Sequence, residues 1–322
     1  MFTPDQIKAK NILLRLDLDV PVKDGRVENA FRLEAVLPTI KLCLQYGRRT
    51  CLIGHRGRPE GSDPELSLQP VKNELEKLLN QSISFLSSGF SPGECWTGES
   101  PLCLLENLRY DLREENLDRG FAQVLSQGAD IYVYESFATY RPCTSLTLIP
   151  EYLPTFTGQR FDQEITTLSK VLHDKNHPSL LIVSGIKTNK RDIIDKISSK
   201  FDQTLLGGKF AKFEHLTPDG LDINSLAIQE FQVAISQAKT IVMNGPLGYY
   251  EDGVHDLGTK SILEALKKSS AFTVLGGGDT LSAIPHLGFS YTDYGYVSTG
   301  GGALLEFLLT NTHPLLETLK KC

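Results

Sequence analysis

The sequence predicts an α/β protein of two doubly wound parallel-sheet (Rossmann-like) domains facing each other across a cleft. Three observations lead there. Short apolar runs alternate with amphipathic segments along the whole chain, as in βαβ units. The 322 residues exceed one typical core and suit two domains of about 150 residues. An amphipathic stretch over 160–173 separates the apolar runs into two sets.

In the first half, NILLRLDLDV (11–20) reads as a strand. Residues 33–46 carry Val36, Leu37, Ile40 and Leu44 at helical spacing. Strands follow at 50–54, 82–86, 102–105 and 130–134, with helices at 70–79 and 119–127. Residues 160–173 put Phe161, Ile165, Leu168 and Leu172 on one helical face. In the second half, strands at 179–184, 203–206, 240–243, 272–275 and 295–298 alternate with helices at 191–199, 228–237, 259–268 and 303–309. The predicted organisation is a first domain over 1–159 joined by the tail 312–322, an interdomain helix over 160–173, and a second domain over 174–311.

A net charge of −6 argues against a nucleic-acid partner, which selects a basic surplus. No apolar run reaches about 18 residues, so no membrane partner is expected. The opening MFTPDQIKAK has no apolar signal core, which predicts a cytoplasmic protein. The cysteines (Cys43, Cys51, Cys95, Cys103, Cys143 and Cys322) form no CxxC pair and are expected to be reduced, mostly buried thiols.

Ligands of open α/β sheets bind at the carboxyl ends of the strands. In the first half those ends carry Asp17, Asp19, His55, Arg58, Arg109 and Arg141, with Arg32 beside them. Like charges repel, so arginines gathered at one sheet edge imply a ligand with several negative charges. A surface salt bridge is the plainer reading of each arginine alone, and a satisfied loop residue that of His55.

In the second half the strand ends are mostly glycine: Gly185, Gly207, Gly208, Asn244 with Gly245, Gly276–Gly278 and Gly300–Gly302. Glycine lets backbone amides approach an anion, and a following helix adds its dipole. Asp279 inside GGGDT would repel phosphate unless Mg²⁺ intervenes, so it reads as a metal ligand. The competing role is a helix N-cap. The turn in NGPLGYYE could set Glu251 against a ribose hydroxyl, and Lys187 follows the strand LLIV toward the same loops. No GxxxxGK[ST] is present, so P-loop chemistry is not indicated, and no strand–GxGxxG–helix unit supports a dehydrogenase.

Taken in order, LLRLDLDVP, LIGHRGRPEG, LLENLRY, LLGGKFAKF, TIVMNGPLGYYE, VLGGGDT and YVSTGGGALLE resemble the phosphoglycerate kinase family along nearly the whole chain. The resemblance implies reversible phosphoryl transfer between 1,3-bisphosphoglycerate and ADP, giving 3-phosphoglycerate and ATP, by a monomer whose partners are small molecules. It implies that Asp17, Asp19, Arg32, His55, Arg58, Arg109 and Arg141 bind the acid. Arg32, Lys187, Gly301 and Gly302 would act on the transferring phosphoryl group. The nucleotide would meet Gly185, Lys187, Lys190 or Arg191, Gly207, Gly208, Leu221, Asn244, Glu251, Gly277, Gly278, Asp279 and Thr280, with Asp279 holding Mg²⁺.

The chain also departs from the family. Members usually carry asparagine where Asp19 stands, ATYRPC replaces the stretch that would align Arg141, and Arg191 replaces a lysine in a shifted context. A helix and a strand are expected to be missing between 207–213 and 220–223. These departures leave open a catalytically impaired paralogue with a binding or regulatory role, or a kinase for another carboxylate.

Overall fold

The computed structural model describes residues 2–87, 89–185 and 191–321. Backbone contacts divide the chain into two compact units, Met1–Glu164 with Thr312–Cys322, and Ile165–Asn311.

The first unit runs α1 (Pro4–Ile7), β1 (Asn11–Arg15), β2 (Val22–Lys23), β3 (Arg26–Val27), α2 (Phe31–Tyr46), β4 (Arg49–Ile53), α3 (Gln69–Leu79), β5 (Ser84–Leu86), α4 (Gly93–Thr97), β6 (Leu102–Leu105), α5 (Arg119–Ser126), β7 (Ile131–Tyr134), α6 (Thr144–Thr147) and β8 (Thr155–Thr157). Its six-stranded sheet has the order β5-β6-β4-β1-β7-β8, and every pair is parallel. β1 lies inside, with Leu14 in register with Leu52 of β4 and Val133 of β7. Its near-continuous apolar run is what a strand covered on both faces needs.

The helix α7 (Gln159–His173) passes from the first unit into the second. There follow β9 (Ser179–Val183), α8 (Arg191–Ser198), β10 (Gln203–Leu206), α9 (Ser225–Gln237), β11 (Thr240–Asn244), α10 (Leu257–Lys268), β12 (Phe272–Gly276), α11 (Gly278–His286), β13 (Tyr296–Val297) and α12 (Gly302–Thr310). The order β10-β9-β11-β12-β13 is again parallel throughout. The last helix, α13 (Pro314–Leu319), belongs to the first unit. It is tied there by His313, whose Nε2 lies 3.1 Å from the Phe137 carbonyl and whose ring meets Phe161 edge-on at 4.9 Å.

Both sheets match the α/β class the sequence predicts. The strand expected over 11–20 is shorter, because β1 leaves the ladder once β4 ends at Ile53. Leu16, Leu18 and Val20 stay buried all the same. The short β2–β3 hairpin and β8 carry too little periodicity to be read from sequence. One expectation is corrected. Cys95 and Cys103 are joined in a disulfide, because α4 sets Cys95 against Cys103 of β6 with Cα atoms 5.4 Å apart. Cys43, Cys51 and Cys143 are free and buried, as expected, and Cys322 lies outside the described residues. Between β10 and α9 the chain makes only two 3₁₀ turns and the bridge Leu216–Ile223. Among the described residues no helix is long and apolar enough to cross a membrane.

Candidate functional site

In the first unit the residues after β1, β4 and β6 gather at one sheet edge. Arg15, the last residue of β1, is fully buried. Its Nη2 lies 2.7 Å from Nδ1 of His55, and Glu114 stands 4.0 Å away as its counter-charge. Burial first, then the charges of Arg15, Arg109, Arg32 and Arg58, holds His55 well below the usual imidazole range. The charges of three of the predicted arginines, Arg32, Arg58 and Arg109, thus act on a neutral histidine.

Arg32 enters from the first turn of α2. Its Nη1 donates to the Asp19 carbonyl at 2.7 Å and lies 3.4 Å from Asp17 Oδ1. Burial raises the Asp17 pKa, and Arg32 opposes the rise. The second carboxylate oxygen of Asp17 is buried without a hydrogen-bond partner among the described residues. Asp19 is tied to the neighbouring loop. Its Oδ1 accepts from the Gly57 amide at 2.9 Å, at a glycine whose φ of +62° suits the tight HRGRPEG loop. Arg109 Nη1 donates to the Gly57 carbonyl at 2.7 Å, and its Nε lies 3.2 Å from Glu115. Arg58 extends from this loop and is exposed.

Arg141 is exposed in the loop before α6, and among the described residues no hydrogen bond joins it to the others. Sequence reasoning passed over Arg15 and Asn107. Asn107 donates to the Arg56 and Leu66 carbonyls at 2.7 and 2.9 Å and so braces the loop. An arginine between leucines in a fully buried strand was the available signal, since such a charge needs a partner.

In the second unit a cavity of about 460 Å³ opens where β9, β11 and β12 end, lined by Gly185, Asn244, Gly277, Gly278, Asp279, Gly301 and Gly302 among others. The turns are held rigidly. Asn244 Nδ2 donates to the Gly301 carbonyl at 3.1 Å, and the Gly245 amide donates to Thr280 Oγ1 at 2.9 Å. A side chain at Gly245 would place its Cβ 2.3 Å from the Ser184 carbonyl, and φ there is +100°. Gly301 approaches so closely that its Cβ would stand 2.9 Å from Gly277 Cα. Glycine is thus required for the strand ends to converge. The amides opening α11 and α12 supply an anion seat with favourable dipoles. Ser184 Oγ is buried there without a hydrogen-bond partner among the described residues.

Asp279 sits in the first turn of α11, after the N-cap Gly277. It is exposed, its backbone carbonyl accepts from the Tyr250 hydroxyl at 3.2 Å, and among the described residues no hydrogen bond engages its carboxylate. The capping alternative is therefore excluded by position. Gly207 and Gly208 abut Ser184 and Gly185 at the end of β10. Leu221 and Glu251 are exposed on the stretches that follow, linked by the Tyr249 amide donating to the Leu221 carbonyl at 2.9 Å. Arg191 opens α8 and pairs with Asp195 at 3.5 Å. Lys187 and Lys190 lie outside the described residues.

Among the described residues, one unit thus offers a group of cations, the other bare amides with the Asp279 carboxylate beside them. Comparison with known proteins bears on both. A family described as phosphoglycerate kinase matches residues 4–217 and 212–311, two segments that meet where the shortened connection lies. The phosphoglycerate kinase of Moorella thermoacetica is 31% identical over 378 aligned positions, covering 94% of each chain. That alignment is longer than this chain, so the relative carries segments absent here. A phosphoglycerate kinase structure from Coxiella burnetii superposes with a TM-score of 0.78 at 26% identity, over 98% of this chain and 97% of that one. One from Pyrococcus horikoshii shares the fold, with a TM-score of 0.87 at 24% identity over 99% and 98%. With the family match spanning nearly all of both units, the chain belongs to the phosphoglycerate kinase family.

Proposed function

We propose that this chain is a phosphoglycerate kinase, transferring a phosphoryl group reversibly between the carboxyl oxygen of 3-phosphoglycerate and ADP. The observation that carries the reading is the set of guanidinium groups about neutral His55, a seat for an acid with both carboxylate and phosphate charge. The first unit binds the acid through Asp17, Arg32, His55, Arg58 and Arg109, with Asp19 shaping the loop and Arg141 joining only when the substrate draws it in. The second binds the nucleotide phosphates at Gly277, Gly278, Thr280, Asn244, Gly301 and Gly302. Gly185, Gly207, Gly208, Leu221 and Glu251 border the nucleoside, and Lys187 and Arg191 neutralise phosphate.

The attacking carboxylate is ionised at neutral pH, so the reaction needs no general base. Catalysis then rests on alignment and on charge stabilisation of the moving phosphoryl group. Arg32, already oriented by the Asp19 carbonyl, supplies one such charge.

The donor set fits Mg²⁺ held jointly with substrate. Among the described residues no three His, Cys, Asp or Glu side chains form a metal cage. Asp279 is, among the described residues, a carboxylate without a hydrogen-bond partner in the lining of the glycine cavity, and Mg²⁺ is usually bound by one or two carboxylates plus substrate phosphates. When bound, the ion neutralises phosphate charge. The same proposal makes the protein a cytoplasmic monomer with neither nucleic acid nor membrane as partner, the first supported by its net charge of −6.

The test is a coupled assay with 3-phosphoglycerate and Mg-ATP on the purified chain. Turnover in the range of about 1–100 s⁻¹ is expected of a kinase. Binding of Mg-ADP with no turnover on the acid would return the chain to a binding role.

A further inference from the structure

The two segments of the family match overlap at residues 212–217, and the loop that follows has no helix and one isolated backbone bridge, Leu216–Ile223. That loop nevertheless has a defined place. Three ties fix it to the stretch 249–258. The Tyr249 amide donates to the Leu221 carbonyl at 2.9 Å, and the Gly258 amide donates to Asp222 Oδ2 at 2.8 Å. The third tie is His255, whose Nε2 lies 2.8 Å from Asp219 Oδ2 and whose Nδ1 lies 2.6 Å from Asp252 Oδ2.

The two carboxylates are not passive. Asp219 Oδ1 accepts from the Leu221 amide at 3.0 Å and from the Thr217 hydroxyl at 2.6 Å, so the group that meets His255 also fixes the backbone of Leu221. Asp252 follows Glu251 directly, and its Oδ1 accepts from the Val254 and His255 amides at 2.8 and 3.0 Å. One imidazole thereby joins the loop bearing Leu221 to the turn bearing Glu251. Without it, two carboxylates would face each other. Both ring nitrogens can donate at once only in the imidazolium, and the Asp252 and then Asp219 hydrogen bonds raise the His255 pKa in that direction.

We propose that His255 is a positioning residue for nucleotide binding, which by bridging Asp219 and Asp252 sets Leu221 and Glu251 at the distance a nucleoside requires. The inference rests on the functional reading above, in which Leu221 and Glu251 border the nucleoside. It does not rest on stability. The side chains of Asp219 and Asp252 are 49% and 27% exposed, so water can hydrate them once the imidazole is gone.

The test uses the full chain with His255→Phe, which keeps the ring volume, and Asp219→Ala, which removes the same bridge from its other end. Steady-state constants for ATP and 3-phosphoglycerate are measured, together with Mg-ADP binding by calorimetry. The KM for ATP and the Kd for Mg-ADP are expected to rise about three- to tenfold, the cost of ordering a loop on binding. The kcat and the KM for 3-phosphoglycerate should stay within about twofold, and the double variant should be no worse than either single one, as for partners in one contact. His255→Gln, which can still donate to one carboxylate, should recover part of the loss. Nucleotide constants unchanged in both variants, or both KM values rising together, would overturn the proposal. Wild-type protein that binds Mg-ADP without turnover would overturn the kinase reading alone, and the Kd shift would still decide the role of His255. Wild-type protein that binds no Mg-ADP would overturn both.

Discussion

Nη2 of Arg15 lies 2.7 Å from Nδ1 of His55, joining the ends of two neighbouring strands. A guanidinium has no acceptor, so Nδ1 must accept and the proton of the neutral ring must sit on Nε2. The second nitrogen is thereby left as a donor. His55 is expected to stay neutral and in this one tautomer well below the pH at which a free histidine titrates. Nitrogen chemical shifts of the imidazole read this directly. A midpoint near the usual value of about 6.5 would mean that neither burial nor the arginines act on His55. His55→Phe should weaken 3-phosphoglycerate binding by about tenfold or more, the worth of one hydrogen bond to a charged group.

Arg32 donates to the Asp19 carbonyl and lies beside the Asp17 carboxylate, whose pKa burial raises, and α2 packs through Leu33, Val36 and Ile40 instead. Arg32→Ala should therefore keep the fold and Mg-ADP affinity. Asp17, already raised by burial, can take up a proton when its cation is lost. Turnover should fall by about 10³-fold or more, as when an arginine finger is removed from phosphoryl transfer. A loss below about tenfold in the coupled assay would take Arg32 out of the chemistry.

Asp279 has no protein partner for its carboxylate among the described residues and stands two residues past the N-cap of α11. If it ligates Mg²⁺, Asp279→Ala should raise the half-saturating free Mg²⁺ by about tenfold, since charge count sets divalent-ion affinity. Asp279→Asn, with an oxygen but no charge, should fall between. Turnover measured against free Mg²⁺ decides. An unchanged curve would leave Asp279 as a first-turn acid that merely complements the helix dipole.

The sheets were legible in the sequence because their strands are buried on both faces, and the continuous apolar runs in β1, β4, β9 and β11 have few other readings. The glycine pocket was legible for a related reason. At Gly245 and Gly301 any side chain would collide with backbone, so the chemistry is written in residue type. Side-chain partnerships were less visible. Asp19 reads as a ligand from its place after β1, but its hold on the Gly57 turn was not visible, because that partner arrives from a loop 38 positions away. Arg15 was hidden among leucines, and its role depends on His55 and Glu114 meeting it from two other segments. The His255 bridge depends on how a shortened loop settles, which no local pattern encodes.

His313 and Glu135 give the first unit two opposing responses to pH. Burial lowers His313 to about 4 from 6.5, despite its backbone hydrogen bonds. Burial raises Glu135 to about 7 from 4.5, although the Thr39 hydroxyl and the Phe161 and Arg160 amides favour its charged form. For His313 the unfolded chain binds more protons between about pH 6.5 and 4, so stability is lost as pH falls through that window. For Glu135 the folded chain binds more protons between about pH 4.5 and 7, so its contribution is complete below that window and lost as pH rises through it. Each effect is worth about 3 kcal/mol over its full span, and in the wild type the two largely offset. Single variants should separate them. His313→Phe, which keeps a ring against Phe137 and Phe161, should leave a protein whose stability falls from pH 4.5 to 7. Glu135→Gln should leave one whose stability rises from pH 4 to 6.5. Trp96, the only tryptophan, lies in α4 of the first unit, so its fluorescence during urea unfolding reports the unit in question. Profiles that run parallel to the wild type in both variants would show that neither group carries its proton differently in the folded chain.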